Sequence, residues 1–254
     1  MDRRYLVLAA VLAFGMVLAG CTSSSPSKGT VSAAQKTAVE NSYDATAALA
    51  DTVEALDGMV GSTQFGNGTG GSVTVGGHGQ TTVTCAWTGS ATCGTATVTT
   101  KSGSTTESTY AIAYTGSNFY GVMSYTAEVT GKTARGADID VTITVSKVTG
   151  MATSAAVSGN ITYGGTVYVV SGGSTTDAVA RSASWAYKIE EPKGGITVTI
   201  AATYAAGSFS GAMTVQDRRG TTLATATTGG GGTVTIEYKD GTTRTVQVFP
   251  DPTQ

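Results

Sequence analysis

Beyond residue 80 the chain alternates apolar and polar residues with a period of two, and this pattern restricts the fold more than any other feature. Ile139, Val141, Ile143 and Val145 alternate with Asp138, Asp140, Thr142, Thr144 and Ser146. Ile196, Val198, Ile200, Ala202 and Tyr204 alternate with Thr197, Thr199, Ala201 and Thr203. Successive side chains of a strand point to opposite faces, so each such segment buries one face and wets the other. Turn signals, most containing glycine, separate about eleven or twelve such segments. No helical segment intervenes to carry a parallel crossover, so the strands pair antiparallel, mostly as a meander. A sheet of that width does not stay flat, because twist accumulates until it curls or splits. The expected fold class is mainly β: a large curved antiparallel meander sheet, barrel-like or a sandwich, with one N-terminal amphipathic α-helix.

That helix is the single helical signal after residue 20. Ser32 and Gln35 have capping-box spacing, and Val39, Tyr43, Ala47, Ala50, Val53, Leu56 and Val60 recur at helical intervals. Gly58 suits the C-cap. Glu40, Asp44, Asp51, Glu54 and Asp57 form an acidic outer face that anionic lipid would repel, so the helix is expected to pack on the domain rather than lie on a membrane. Residues 61–80 are glycine-rich and read as a loop or weak strand. The segments are thus 21–31 as a polar tether ("TSSSPSKGT"), 32–60 as the helix, and 61–254 as the β domain packed with it.

Register is legible in the last hairpin, "TVTIEYKDGTTRTVQVF". A two-residue turn at Asp240 and Gly241 would put the valines of the two strands on opposite faces. A three-residue loop of Lys239, Asp240 and Gly241 sets Val234, Ile236 and Tyr238 on one face with Val246 and Val248, with Gly241 left-handed as a bulge. "YTGSNFYGVM" from Tyr114 and "YAAGSFSGAM" from Tyr204 share Tyr, Phe, Gly and Met at equal spacing. Either a duplicated sheet or the chance of a biased composition explains the match.

At the start of the chain, Arg3 and Arg4 precede an apolar run from Tyr5 to Val17, of signal-peptide length and too short to span a bilayer. Leu18, Ala19, Gly20 and Cys21 follow. This stretch resembles the lipobox of bacterial lipoproteins: an aliphatic residue, two small residues and a cysteine. The resemblance implies removal of residues 1–20 and acylation of Cys21 by a diacylglyceryl thioether and an N-acyl (palmitate-type) chain. Such a protein is held permanently in a membrane of the cell envelope. Thr22, where an aspartate would imply inner-membrane retention, favours the outer membrane of a Gram-negative cell.

Export also permits a disulfide. In "TTVTCAWTGSATCGTATV" a three-residue turn of Thr88, Gly89 and Ser90 would set Cys85 opposite Cys93, within bridging distance. With 15 basic and 17 acidic residues and no basic cluster, nucleic acid is not an expected partner. Residues of catalytic type are scattered. His78 is flanked by glycine, Asp138 and Asp140 lie on one strand face, Glu190 and Glu191 precede Pro192, and Gly229–Gly232 lack the lysine and helix of a phosphate loop. No catalytic, metal or cofactor site is expected.

Two functions stay open: a non-enzymatic binding or structural module, facing another envelope protein or a glycan, and a carrier for an apolar ligand between curved sheet and helix. The second organisation is similar to that of Lol-type and mycobacterial lipid-carrying lipoproteins, a likeness of architecture carried by no motif. A cavity beneath the helix would favour the carrier, and a filled core the module.

Overall fold

The structure, a computed structural model, describes residues 30–60, 70–76, 81–89, 93–102, 105–116, 124–149, 152–177, 180, 182–193, 195–205, 208–228 and 233–247. The leader, Cys21 and the tether up to residue 29, His78, residues 117–123 and Gly229–Gly232 lie outside these, while Val31, at the end of the expected tether, is buried in the core. Among the described residues one helix, α1 (Ala33–Val60), precedes fourteen strands: β1 (Gly70–Gly76), β2 (Thr81–Gly89), β3 (Cys93–Ser102), β4 (Thr105–Gly116), β5 (Ser124–Lys132), β6 (Asp138–Thr149), β7 (Ala152–Tyr163), β8 (Thr166–Asp177), β9 (Ser182–Glu190), β10 (Ile196–Ala205), β11 (Ser208–Asp217), β12 (Thr222–Thr228), β13 (Thr233–Tyr238) and β14 (Thr243–Gln247). They form one antiparallel sheet whose spatial order is the order in sequence. Strands number more than the alternation suggested, and β1 comes from the glycine-rich stretch read as a loop or weak strand. β1 and β14 are the two edges and do not pair, so the sheet is curved without being a closed barrel.

The alternation is realised as a single inward face. Consecutive cross-strand partners Ala96, Ile112, Val129, Val141, Gly159, Val170, Ile189, Val198, Val215, Ala224 and Tyr238 run across the sheet from β3 to β13. All of them but Gly159 belong to the buried core. The outward face carries Thr95, Thr97, Thr109, Glu128, Thr130, Asp138, Asp140, Thr199 and Thr225, all exposed. Threonine hydroxyls of neighbouring strands meet there, Thr88 with Thr95 at 3.0 Å and Thr235 with Thr245 at 3.3 Å. An outer-membrane barrel has the reverse polarity, an apolar band facing outward.

The helix shows how strongly the sheet is rolled. Asp44 bonds Tyr163 of β7, Asn41 lies against Gly164 of the β7–β8 turn, and Glu40 receives the hydroxyl of Tyr238 of β13. In a flat sheet β7 and β13 would be about 29 Å apart. One helix about 10–12 Å wide reaches both within a single turn because the sheet wraps around it. Burial agrees: Val39, Ser42, Tyr43, Ala45, Thr46, Ala48, Leu49 and Thr52 are all buried, positions that at 100° per residue cover an arc of about 220°, while Lys36, Glu40 and Asp44 occupy the remaining arc. The helix is amphipathic as expected, with a wide buried arc, and Glu40 and Asp44 of its polar arc bond Tyr238 and Tyr163 of the sheet. Hydroxyl residues share that buried arc. Ser42 donates to the Val39 carbonyl, Thr46 to Ser42 and Thr52 to Ala48, so each satisfies itself on its own helix and can be buried. α1 begins on the expected capping box, Ser32 N–H donating to Gln35 Oε1 at 3.0 Å and Gln35 N–H to Ser32 Oγ at 3.2 Å. It runs two residues past Gly58, which is not its cap.

Coiling of so narrow a roll needs positions without a Cβ. Gly159 and Gly172, both inward, have φ of +143° and +142°. A Cβ at Gly172 would stand 2.2 Å from the Ala186 carbonyl oxygen and 2.9 Å from the Tyr187 ring, so the position admits no side chain although the glycine itself is exposed.

The cysteine hairpin differs from expectation. Cys85 pairs with Val98, while Cys93 pairs with Thr115 of the next strand and is exposed. The two cysteines are thus about 17 Å apart along the ladder and at positions of opposite face, too far for the Cys85–Cys93 bridge. Burial is the reason. Pairing Cys85 with Cys93 would turn Thr95, Thr97 and Thr99 inward and put Ala96 and Val98 outside.

Candidate functional site

The meander gathers seven of its turns at one rim, and α1 enters the roll there. Among the described turns of this rim, three share a form that the sequence showed only once. Residues 134–136, 218–220 and 239–241 are three-residue loops closed by Thr133, Asp217 and Tyr238, each ending on a left-handed glycine, with φ of +82°, +76° and +80° at Gly136, Gly220 and Gly241. The last is the expected loop, with Val234 opposite Val246 and Tyr238 N–H donating to the Thr242 carbonyl.

Here the helix is clasped to the final hairpin. Lys36 Nζ lies 2.9 Å from Asp240 Oδ2, donates to Thr242 Oγ1 at 2.7 Å, and stands 5.0 Å from the centre of the Tyr238 ring. One turn further along, Glu40 accepts the Tyr238 hydroxyl at 3.0 Å through Oε1 and pairs with Arg244 through Oε2. Asp240 also accepts the Thr242 N–H at 3.0 Å, shaping its own turn. On the opposite side of the helix, Asp44 holds the Tyr163 hydroxyl.

The electrostatics follow from these contacts. Burial alone would raise the Glu40 carboxyl, but the hydrogen bonds from Arg244 and Tyr238 outweigh it and hold it below its ordinary 4.5. Thr242 and then Lys36 hold Asp240 well below the usual carboxylate range. Burial, reinforced by the Glu40 carboxylate, pushes the Tyr238 hydroxyl up to about 12. Burial and then the Glu191 charge do the same for Tyr168. Each acid is thus kept ionised and each phenol protonated, an arrangement that fixes helix to sheet and does not poise a group for proton transfer near neutrality.

The residues weighed from the sequence are not brought together. Asp138 and Asp140 point outward from β6, Glu190 pairs with Lys188 at 2.6 Å on the outer face of β9, and Glu191 folds back over Gly195 in the β9–β10 turn. Among the described residues no three His, Cys, Asp or Glu side chains gather in a way that could hold a metal ion. Lys36, Glu40, Tyr238, Asp240 and Arg244 were missed as a unit. Their one local signal is the i, i+4 spacing of Lys36 and Glu40, while their partners lie about 200 residues on.

The fold and the clasp define a class: a fourteen-stranded antiparallel meander rolled around its own N-terminal helix. Set against protein-family models, curated proteins and solved structures, the chain matches none of them.

Proposed function

We propose that this is a lipid-anchored protein of the cell envelope, in the outer membrane where there are two membranes, serving as a non-enzymatic binding or structural module. The observation that carries this reading is the helix inside the roll. Leu49, Tyr110, Tyr114 and Tyr168 are almost fully buried in the space between helix and sheet, where a carrier would hold its ligand. The surface offered to a partner is then the outer one, hydroxyl-rich and sparsely charged, which suits a second envelope protein or a glycan. The lipobox-like stretch ending at Cys21 supports the anchoring, and the tether of residues 22–30 lets the domain stand off the bilayer.

The test is purification of the full-length protein from membranes in mild detergent, with mass spectrometry of its N-terminal peptide and of everything that accompanies it. The expected result is an acylated N-terminal Cys21 and a co-purifying protein or glycan. One extra lipid per chain, beyond the covalent acyl groups, overturns the module in favour of the carrier. Cys21→Ser is expected to release the protein from the membrane fraction or leave its leader attached, and a processed variant still in that fraction would overturn the anchoring.

A further inference from the structure

The two edges of the sheet are unlike. β14 is five residues long, its Arg244 is paired with Glu40 of the helix, and Pro250 and Pro252 follow it in the chain. Shortness, charge and proline are devices that keep an edge strand from pairing with another chain. β1 lacks the last two. Its seven residues, "GGSVTVG", carry no charge and no proline, and among the described residues only β2 pairs with it. Such an edge offers a row of backbone N–H and C=O groups to a second strand, and glycine within a strand marks places where another backbone comes close.

The sequence of β1 says which strand fits it. Ladder partners carry its alternation across the sheet. Val73 lies opposite Cys85, in the row that continues through Val98 to the buried Tyr110, and Thr74 lies opposite Thr84, in the row that continues through Thr99 to the exposed Thr109. Gly71, Val73 and Val75 therefore hold inner positions, and Ser72 and Thr74 outer ones. Reversed about Val73, the segment nearly repeats itself: Gly70 meets Gly76, Gly71 meets Val75, Ser72 meets Thr74, and Val73 meets itself. Two copies laid antiparallel in that register set inner positions against inner and Ser72 against Thr74. A slip of one residue would set each valine against an outer position.

We propose that β1 pairs with β1 of a second copy, antiparallel about a two-fold axis at Val73, so that two rolls share one continuous sheet. The two-fold axis makes the contact self-complementary and closes it at the dimer. It lies across the strands and sets the helix-bearing rim of one roll beside the far rim of the other. Two anchored copies meet in this way with their strands along the bilayer surface, each tether reaching at most about 30 Å. The pairing itself does not depend on the anchor. For the test, full-length protein in mild detergent carries Val73→Cys on a background of Cys85→Ala and Cys93→Ser, is oxidised gently and is run on a non-reducing gel, with the background chain alone as the blank. Val73→Cys is expected to give a linked dimer, because opposed residues stand about 4.5–5.5 Å apart between Cα atoms, within disulfide reach. Ser72→Cys and Thr74→Cys on the same background should each link little alone, their own copies lying about 7–8 Å off on the diagonal, and should link when the two chains are mixed. Ser72→Glu/Thr74→Glu, with carboxylate facing carboxylate, should lower the Val73→Cys dimer about five-fold, and Ser72→Glu/Thr74→Lys, with carboxylate facing ammonium, should restore it. No link by Val73→Cys above the blank, a link to Thr245→Cys of β14 as strong as that to itself, or a dimer indifferent to both charge pairs overturns the proposal.

Discussion

Glycines of this roll with positive φ differ in what their missing side chain would meet. At Gly172 the backbone takes φ +142° and faces the Ala186 carbonyl and the Tyr187 ring across a gap that admits no Cβ. At Gly165, in the tight Tyr163–Thr166 turn, φ is +79° but nothing lies within 4 Å. Both are positive-φ glycines, yet only the first is also a packing constraint. Gly172→Val is expected to lower stability by about 1–3 kcal/mol, whereas Gly165→Asn, a residue that tolerates the left-handed region, should be nearly neutral. Thermal unfolding of the two variants checks the contrast, and equal losses would show that backbone conformation alone matters. None of this was visible as sequence, because a glycine within a strand pattern signals a bend without saying which atoms occupy the space its side chain vacates.

Between elements, the decisive contact is that of α1 with the β13–β14 hairpin. Glu40→Gln keeps the shape but removes the charge that pairs with Arg244, and for a partly exposed pair the expected loss is about 0.5–1 kcal/mol. The same change should lower the Tyr238 pKa from about 12 toward its ordinary 10 without reaching it, since burial, the larger cause, stays. Ultraviolet titration of tyrosinate in the variant reads this directly, and an unmoved titration would mean that burial alone sets the value. Elements were legible to the extent that their signals were local. The capping box of Ser32 and Gln35 and the loop at Gly241 sit on the residues where sequence placed them. The Cys85 hairpin was misread because the likeness of two cysteines was weighed above the burial of Ala96 and Val98, the criterion that gave the right register at Tyr238. The amphipathic helix was legible, but the breadth of its buried arc was not, because Ser42, Thr46 and Thr52 count as polar in any periodicity although each disposes of its hydroxyl within the helix.

For the whole molecule, the titrating groups set a plateau. Glu40 and Asp240 have folded pKa values below their ordinary 4.5 and 3.8, so their stabilisation is complete above about pH 5 and is lost as pH falls through the folded values. Tyr168 and Tyr238 have values raised from 10 to about 12, so stability declines as pH rises between these limits. Denaturant midpoints are expected to be level from about pH 5 to 10 and to fall on both sides. A continuous slope across neutrality would contradict the pairing described for the rim. Strand polarity was enough to anticipate one large curved sheet, while its curling about a helix depended on contacts between residues far apart in the chain. That separation has a kinetic meaning. Lys36 and Thr242 are 206 residues apart, and joining two such points in a free chain costs about 5 kcal/mol of closure entropy. A meander never faces that cost at once, since each strand is laid beside the one before it and every step closes only a short loop. The clasp is then expected to form last, acting as a latch on unfolding and leaving the rate of folding to the hairpins.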